Sequence, residues 1–213
     1  ALVELLGDAN TALRAFYAKL KAEGLVKGII GPRDGHILWE RHILNSMSVV
    51  PYIRSATEHG RKSRVADVGS GGGFPGLVVA ACLPDREITL IEPMDRRCEW
   101  LHECIVDMKL DNVHVIRSRS EDVIHDMSTN HEPHQFAVVT CRAVAPMKKL
   151  IPWTLPLLAS HGSLFAIKGR SAQLELDKAT DQIRRFHGVN ARVELAPIMD
   201  GIEPTHVIAG EKR

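Results

Sequence analysis

The residues best suited to chemistry form a glycine-rich stretch that runs from Asp67 to Gly76. An apolar run that ends at Asp67 predicts a buried strand, and the small apolar residues 77–83 predict a helix. Glycine lets the backbone approach a ligand closely, and Pro75 suits the first turn of a helix. A strand, a glycine loop and a helix start together place a polar ligand on free backbone N–H groups. The stretch therefore predicts a binding site for a nucleoside cofactor.

An acidic residue, Glu92, stands where such a cofactor would present its ribose. It follows the glycines by about 20 residues, at the end of the next apolar run, and its carboxylate can accept hydrogen bonds from both ribose hydroxyls. Residues 71–76 contain a literal G-x-G-x-x-G, which alone is weak and also fits a glycine turn without a ligand. Because Asp67 precedes the first glycine by two residues, the string resembles the first motif of S-adenosylmethionine-dependent methyltransferases more than a dinucleotide fingerprint.

Apolar runs and helical periodicities alternate along the chain after this point. The alternation requires right-handed crossovers and a mainly parallel sheet that is covered on both faces. With two more strands in the tail, the predicted fold class is α/β, a Rossmann-like methyltransferase fold with a mostly parallel seven-stranded sheet. Strands are predicted at about 64–69, 87–92, 112–117, 136–142, 163–168, 193–195 and 206–209, and helices at about 75–83, 94–109, 120–126, 146–159 and 171–187.

Two amphipathic helices are predicted before the sheet, at about 1–23 and 35–52, because apolar residues recur there at three- and four-residue steps. They predict an N-terminal helical extension, 1–60, that leads into a methyltransferase domain, 61–213. On the second helix we expect His42 to be packed or hydrogen-bonded rather than to bind a metal.

Cationic residues gather at one edge of the predicted sheet. In α/β sheets ligands bind outside the carboxyl ends of the strands. The net charge is only +1, so this concentration is local, and it favours a polyanionic substrate as much as a solvated surface. The cations that follow strand ends are Arg117, Arg119, Arg142, Lys148, Lys149, Lys168 and Arg170.

Composition argues against several other kinds of protein. Hydrophobic residues make up 45% and charged residues 25% of the chain, which are ordinary globular values. The four cysteines show no C-x-x-C spacing, which indicates reduced thiols in a cytoplasmic protein. No apolar run reaches the length of a membrane span. No metal site is expected, because His125, His131 and His134 lack a second set of ligands. A monomer is expected, and the sequence shows neither a heptad pattern nor a clear exposed apolar face that would indicate an oligomeric state.

Taken together, these residues make the chain resemble the RsmG (GidB) family of small-subunit ribosomal RNA guanine-N7 methyltransferases. The resemblance runs from about Gly24 to the end. Asn45, Cys141 and Ser120 stand where the family often has Asp, Ser, and Ala or Val, and the first departure weakens a catalytic role for position 45. The motifs that carry the resemblance are residues 41–46, 67–76, 96–97, 119–121, 141–143 and 167–169.

The resemblance implies an enzyme that methylates N7 of a guanine in 16S rRNA, either as naked RNA or in the small ribosomal subunit, with S-adenosylmethionine as cofactor. It implies that Arg142 faces the methyl donor. Arginine also suits bidentate recognition of guanine, so we expect Arg142 to position the base, or else to pair with Glu121 or with the cofactor carboxylate. The implied cofactor residues are Gly69, Gly71, Phe74, Glu92, Ser120, Glu121 and Arg142, and the expected RNA contacts are Lys148, Lys149, Lys168 and Arg170.

Three other functions are compatible with parts of the sequence. A methyltransferase of a small molecule would share the fold, but the cationic edge argues against it. An NAD-dependent oxidoreductase would share the G-x-G-x-x-G, and S-adenosylhomocysteine binding without NAD binding would exclude it. A non-catalytic RNA-binding protein would not need the intact loop and Glu92.

Overall fold

A seven-stranded sheet forms the centre of the computed structural model, which describes residues 6–35, 37–58, 63–129 and 135–213. The strand order is β3-β2-β1-β4-β5-β7-β6, and β7 runs antiparallel to both of its neighbours, whereas β1 to β5 are parallel. The predicted mostly parallel seven-stranded sheet is thereby confirmed. The strands are β1 (Arg64–Val68), β2 (Glu87–Ile91), β3 (Val113–Ile116), β4 (Phe136–Arg142), β5 (Leu158–Lys168), β6 (Gly188–Ala196) and β7 (Thr205–Lys212).

Helices cover both faces of this sheet. Successive residues of a strand point to opposite faces, and Val65 and Ala66 of β1 accordingly belong to two different apolar clusters. Within the described ranges, no helix combines the length and the apolarity that crossing a membrane requires. The α-helices are α1 (Asn10–Lys19), α2 (Asn45–Met47), α3 (Val50–Ala56), α4 (Gly76–Cys82), α5 (Asp95–Met108), α6 (Ser120–Thr129), α7 (Met147–Thr154) and α8 (Ala172–Arg185).

The helix predicted over 35–52 is wrong as a single element. A π-helical segment, Trp39–Leu44, leads into α2, and α3 then starts separately with a proline in its first turn. Proline lacks an N–H and suits a first turn, so it ends one helix and begins the next. The helix predicted over 146–159 also ends early, at α7, because a 3₁₀ turn with a proline, Leu155–Leu157, follows it. Strand β5 therefore begins before the predicted residue 163.

The N-terminal helices share a core with the sheet domain. The Phe16 ring lies 5.2 Å from the ring of Phe74 in the glycine loop. Lys19 pairs with Glu103 at 3.1 Å and with Asp107 at 3.0 Å, which fixes α1 to α5. The predicted helix over 1–23 is a 3₁₀ turn, α1 and a π-helical turn that ends at residue 24, and its residues 1–5 lie outside the described ranges. The boundary at 60/61 lies outside them as well, so the division into two units stays a prediction.

Asn112, directly before β3, is hydrogen-bonded to the end of α4 and to the turn that follows it. We expect truncation of its side chain to cause a large loss of stability. Its Nδ2 amide lies within 3.1 Å of the carbonyl oxygens of Ala80, Leu83 and Arg86. Asn112→Ala removes the shared side-chain donor of these carbonyls, so we expect the free energy of unfolding to fall by about 2 kcal/mol. Denaturant unfolding measures this, with the exposed neighbour Asp111→Ala as control. Equal midpoints for the two variants would contradict the role of Asn112.

Candidate active site

The glycine loop is held between β1 and β2 by two buried carboxylates. Asp67 Oδ2 accepts a hydrogen bond from the Gly76 N–H at 3.0 Å. Glu92 Oε2 accepts from the Gly71 N–H at 2.8 Å, and Oε1 accepts from the Met94 N–H at 3.0 Å. Each Glu92 oxygen therefore keeps a lone pair for a ribose hydroxyl.

Gly69 and Gly71 are among the loop positions that require glycine. Gly69 has a φ of 69°, and a Cβ on it would lie 2.8 Å from a methyl group of Val144. Gly71 has a φ of 53°, and a Cβ there would lie 2.8 Å from the Arg97 guanidinium. Both backbones are in the left-handed region that side chains disfavour. The loop consequently brings its backbone against the walls of a cavity.

That cavity has a volume of about 310 Å³ and lies over the carboxyl ends of β1 and β2. Glu92 and Gly69 line one side, and Ser120 and Glu121 line another. Ser120 is buried, and its hydroxyl donates to the carbonyl of Trp153, which fixes α6 against α7. The site predicted from these four residues is thus one continuous cavity. Its other lining residues are Val68, Ile91, Pro93, Met94, Arg97, Ser118, Arg119, Ala143, Val144 and Trp153.

A second, larger cavity of about 620 Å³ adjoins the first. Ala143 and Val144, directly after β4, line both cavities and form their common wall. Ala143 has a φ of 54°, a left-handed backbone that costs a non-glycine residue about 1 kcal/mol. The other residues around the larger cavity are Arg41, His42, Asn45, Arg142, Ala145, Pro146, Ile167, Lys168, Gly169 and Glu175.

Arg142 is held in the larger cavity by the N-terminal helices. Its Nη1 donates to the Arg41 carbonyl and to Asn45 Oδ1, both at 3.0 Å, and its Nη2 lies 2.8 Å from His42 Nδ1. The guanidinium carbon lies 4.6 Å from the centre of the Phe74 ring. Among the described residues, neither Glu121 nor any other carboxylate forms a hydrogen bond with Arg142.

Burial is the main influence on the pKa values of Arg142 and His42. Burial lowers the pKa of Arg142 to about 10, while Asp67 opposes this, so the guanidinium stays protonated at neutral pH. Burial, and then the charge of Arg142, lower the pKa of His42. His42 is therefore neutral at pH 7, and its Nδ1 accepts a hydrogen bond from Arg142 Nη2, while its Nε2 lies 3.4 Å from Asp34 Oδ2. His42 is packed and hydrogen-bonded, as expected.

A family model described as rRNA small subunit methyltransferase G, GidB, matches residues 9–196. The chain belongs to this family. The protein of that name from Bifidobacterium longum is 59% identical over 212 residues, which cover 100% of this chain and 96% of the relative. The one from Pseudarthrobacter chlorophenolicus is 42% identical over 210 residues, which cover 98% of this chain and 90% of the relative.

Solved methyltransferase structures share the GidB chain's fold at low identity. The tRNA (m1A58) methyltransferase TrmI from Aquifex aeolicus matches 78% of this chain and 69% of its own, with a TM-score of 0.56 and 13% identity. TYW2 from M. jannaschii in complex with AdoMet matches 77% and 74%, with a TM-score of 0.53 and 16% identity. The predicted family, fold, enzyme class and cofactor are confirmed: this GidB chain is an S-adenosylmethionine-dependent methyltransferase.

The predicted cofactor residues of the GidB chain divide between the two cavities. Gly69, Glu92, Ser120 and Glu121 line the smaller cavity, whereas Arg142 lines the larger one. Gly71 contacts the site by the hydrogen bond that its N–H donates to Glu92, and the Phe74 ring does so by packing against the Arg142 guanidinium. The individual roles of these residues stay predictions.

The cations predicted to contact RNA are of two kinds. Lys148 and Lys149 are exposed at the start of α7, and no ion pair involves them among the described residues. Arg170 pairs with Glu203 at 3.0 Å, and Lys168 pairs with Glu175 at 2.8 Å. Burial raises the pKa of Glu175, but the hydrogen bonds from Lys168 and from a backbone N–H outweigh it and hold that pKa below its usual range. Two of the four predicted cations thus already form ion pairs with carboxylates, and of these two pairs only that of Lys168 is partly withdrawn from water.

Several residues of the site were not predicted from the sequence. They include Val144, which forms the common wall, and Glu175, which lines the larger cavity. Asn45 was singled out in the sequence, but the hydrogen bond that it donates to Thr205 at 2.9 Å was not predicted. A signal existed only for Glu175, which lies in the first turn of a helix directly after a strand end. Of the three histidines considered for a metal site, His125 is exposed on α6, and His131 and His134 lie outside the described ranges.

The buried carboxyl of Asp67 is expected to make a pH-dependent contribution to stability. Burial raises the pKa of this carboxyl from 3.8 to about 7, against the hydrogen bond from Gly76. Between these two values the native state holds a proton on Asp67 that the unfolded state has released, so the contribution of Asp67 to stability is fully present below about pH 4 and is lost as pH rises to 7. Relative to Asp67→Asn, we expect wild type to lose on the order of 4 kcal/mol between pH 4 and 8. Urea unfolding across this range, with exposed Asp181→Asn as control, measures it, and parallel curves for wild type and Asp67→Asn would disprove it.

Proposed function

We propose that this protein transfers the methyl group of S-adenosylmethionine to N7 of a guanine in 16S rRNA. The cofactor would occupy the smaller cavity and the guanine the larger one. The observation that carries this proposal is the common wall of the two cavities at Ala143 and Val144, because transfer requires donor and acceptor to meet at one point.

The residues of the smaller cavity suit S-adenosylmethionine. Glu92 offers a lone pair on each oxygen to the ribose hydroxyls, and Gly69 leaves room because it has no side chain. Ile91 and Val144 give apolar surface on which an adenine can lie. When bound, the cofactor supplies a methyl group from a positively charged sulfur, and the loss of that methyl group leaves the sulfur as a neutral thioether.

Guanine N7 needs positioning rather than deprotonation. It carries a free lone pair, which forms the new bond to the methyl carbon while the electron pair of the carbon–sulfur bond stays with sulfur. No general base is required, so the chain contributes orientation. Arg142 supports this role because three acceptors of the N-terminal helices and the Phe74 ring fix its guanidinium in the cavity. Its remaining N–H groups can donate to guanine O6, the hydrogen-bond acceptor next to N7.

Contacts to the RNA backbone would come from the exposed cations beside the larger cavity. Lys148 and Lys149 lie directly after its wall and are solvated, which suits phosphate binding by release of counterions. Extraction of the base from its stack costs a few kcal/mol, which such contacts can offset. We further propose a monomer that acts in the cytoplasm on its ribosomal substrate.

The proposal is tested by methyl transfer from labelled S-adenosylmethionine to small ribosomal subunits, and to their RNA, taken from cells that lack this protein. Chain cleavage at N7-methylguanine then maps the label. We expect one labelled guanine in 16S rRNA. Unlabelled RNA, with S-adenosylhomocysteine still bound by the protein, would disprove the substrate and favour a small-molecule acceptor.

A further inference from the structure

We propose that Lys168 and Glu175 together read the Watson–Crick edge of the target base and select guanine. The inference rests on the proposed function, because it places the acceptor guanine in the larger cavity. It gives both residues a part in base recognition and moves Lys168 away from the phosphate contact expected from the sequence.

The pair is built into the wall of the larger cavity. Glu175 Oε2 accepts from Lys168 Nζ at 2.8 Å and from the Met147 N–H at 3.1 Å. Lys168 Nζ also donates to the Ala145 carbonyl at 2.6 Å, which leaves one of its three N–H groups unused. The side chains of Lys168 and Glu175 are 8% and 24% exposed, so both are fixed and partly withdrawn from water. Glu175 Oε1 has only a long contact with the Ser171 hydroxyl, at 3.4 Å.

Charge argues against a phosphate at this point. A phosphate on Lys168 would lie beside the Glu175 carboxylate, and like charges at such a distance repel. A neutral base that carries both donors and acceptors meets no such repulsion. The pair therefore suits a nucleobase, while phosphates are left to Lys148 and Lys149, which make no ion pair among the described residues.

The order of donor and acceptor matches guanine. When N7 faces the common wall at Ala143 and Val144, the six-membered ring, which carries O6, N1 and the 2-amino group on its Watson–Crick edge, extends away from the smaller cavity. Lys168 and Glu175 line the larger cavity and are absent from the lining of the smaller one. A Lys168 N–H can donate to O6, and Glu175 Oε1 can accept from N1–H and the 2-amino group. Adenine presents a donor at C6 and an acceptor at N1, which is the reverse order.

The substitution Glu175→Gln tests this pairing because the existing hydrogen bonds fix the orientation of the new amide group. Lys168 and the Met147 N–H both donate to Oε2, so the amide oxygen takes that place and the amide nitrogen replaces Oε1. An acceptor thereby becomes a donor while shape and support are kept. The new donor opposes guanine N1–H and suits a base whose N1 carries a lone pair.

The experiment uses small subunits whose 16S rRNA carries either guanine or 2-aminopurine at the methylated position alone, joined by ligation. 2-Aminopurine keeps N7 and the 2-amino group, lacks O6, and has an unprotonated N1. For wild type we expect kcat/KM on 2-aminopurine to be roughly 10- to 100-fold below that on guanine. In Glu175→Gln we expect kcat/KM on guanine to fall by roughly 10- to 100-fold and the preference for guanine to vanish or reverse.

Controls separate base reading from folding. Asp177→Asn makes the same change from carboxylate to amide on the exposed side of α8, and it should keep the wild-type preference. Affinity for S-adenosylhomocysteine should match wild type in both variants, because neither residue lines the smaller cavity. A Glu175→Gln variant with the wild-type ratio of guanine to 2-aminopurine turnover would overturn this inference alone. A wild-type protein that labels no guanine would overturn the proposed function instead.

Discussion

Replacement of Arg142 by alanine is expected to lower kcat/KM for methyl transfer to rRNA by roughly 100-fold, since a reactant displaced by about 1 Å loses this much rate. The reason is geometric. Arg142 connects Asn45, His42 and the Arg41 carbonyl to β4, directly before the common wall of the two cavities. Without it, three acceptors lose their donor and the larger cavity loses the charge that faces the base. Single-turnover methyl transfer to small subunits measures the effect.

Two comparisons separate this role from general damage to the Arg142→Ala variant. Affinity for S-adenosylhomocysteine, measured by calorimetry, should fall by less than roughly tenfold, because Arg142 lines the larger cavity and not the smaller one. Arg184→Ala removes the same charge from an exposed position at the far end of α8 and should keep full activity. Turnover at the wild-type level in Arg142→Ala would contradict the positioning role.

Gly69→Ala is expected to weaken binding of S-adenosylhomocysteine by roughly 100-fold. The new Cβ would lie 2.8 Å from a Val144 methyl group on a backbone whose φ is 69°. Left-handed strain and overpacking together amount to about 3 kcal/mol. Relief of the clash moves either the loop or Val144, and both line the smaller cavity. Calorimetric titration of the purified variant with S-adenosylhomocysteine gives the change in affinity.

The matched control for Gly69→Ala is Gly35→Ala. A Cβ at Gly35 meets nothing within 4 Å, and its backbone is outside the left-handed region. Its affinity for S-adenosylhomocysteine should equal that of wild type. An equal affinity in Gly69→Ala would show that the glycine loop does not define the cofactor cavity.

The parts of the site that follow from local spacing were predictable from the sequence. Gly69 and Glu92 lie at strand ends, and the parallel order of β1 and β2 brings such ends together wherever the fold forms. The same reasoning correctly placed Ser120 and Glu121 at the same edge. These predictions need only the strand–loop–helix pattern, because hydrogen bonding in the sheet then fixes the distances.

The parts that depend on distant contacts were not predictable. Asn45 bonds to Thr205, which is 160 residues away, and Arg142 contacts His42 across 100 residues. Neither pair leaves a periodic signal, because each depends on how the N-terminal helices pack on the sheet. Likewise, Lys168 follows a strand end as predicted, but its partner Glu175 decides whether its charge is available to a phosphate.

The central claim is that donor and acceptor lie in two cavities that meet at Ala143 and Val144. The most direct measurement is a crystal structure of this protein with S-adenosylhomocysteine bound. We expect the ribose hydroxyls on Glu92, the adenine beside Ser120, and the sulfur at the common wall, pointing toward Arg142. A cofactor that instead fills the larger cavity, beside Lys168 and Glu175, would contradict the account.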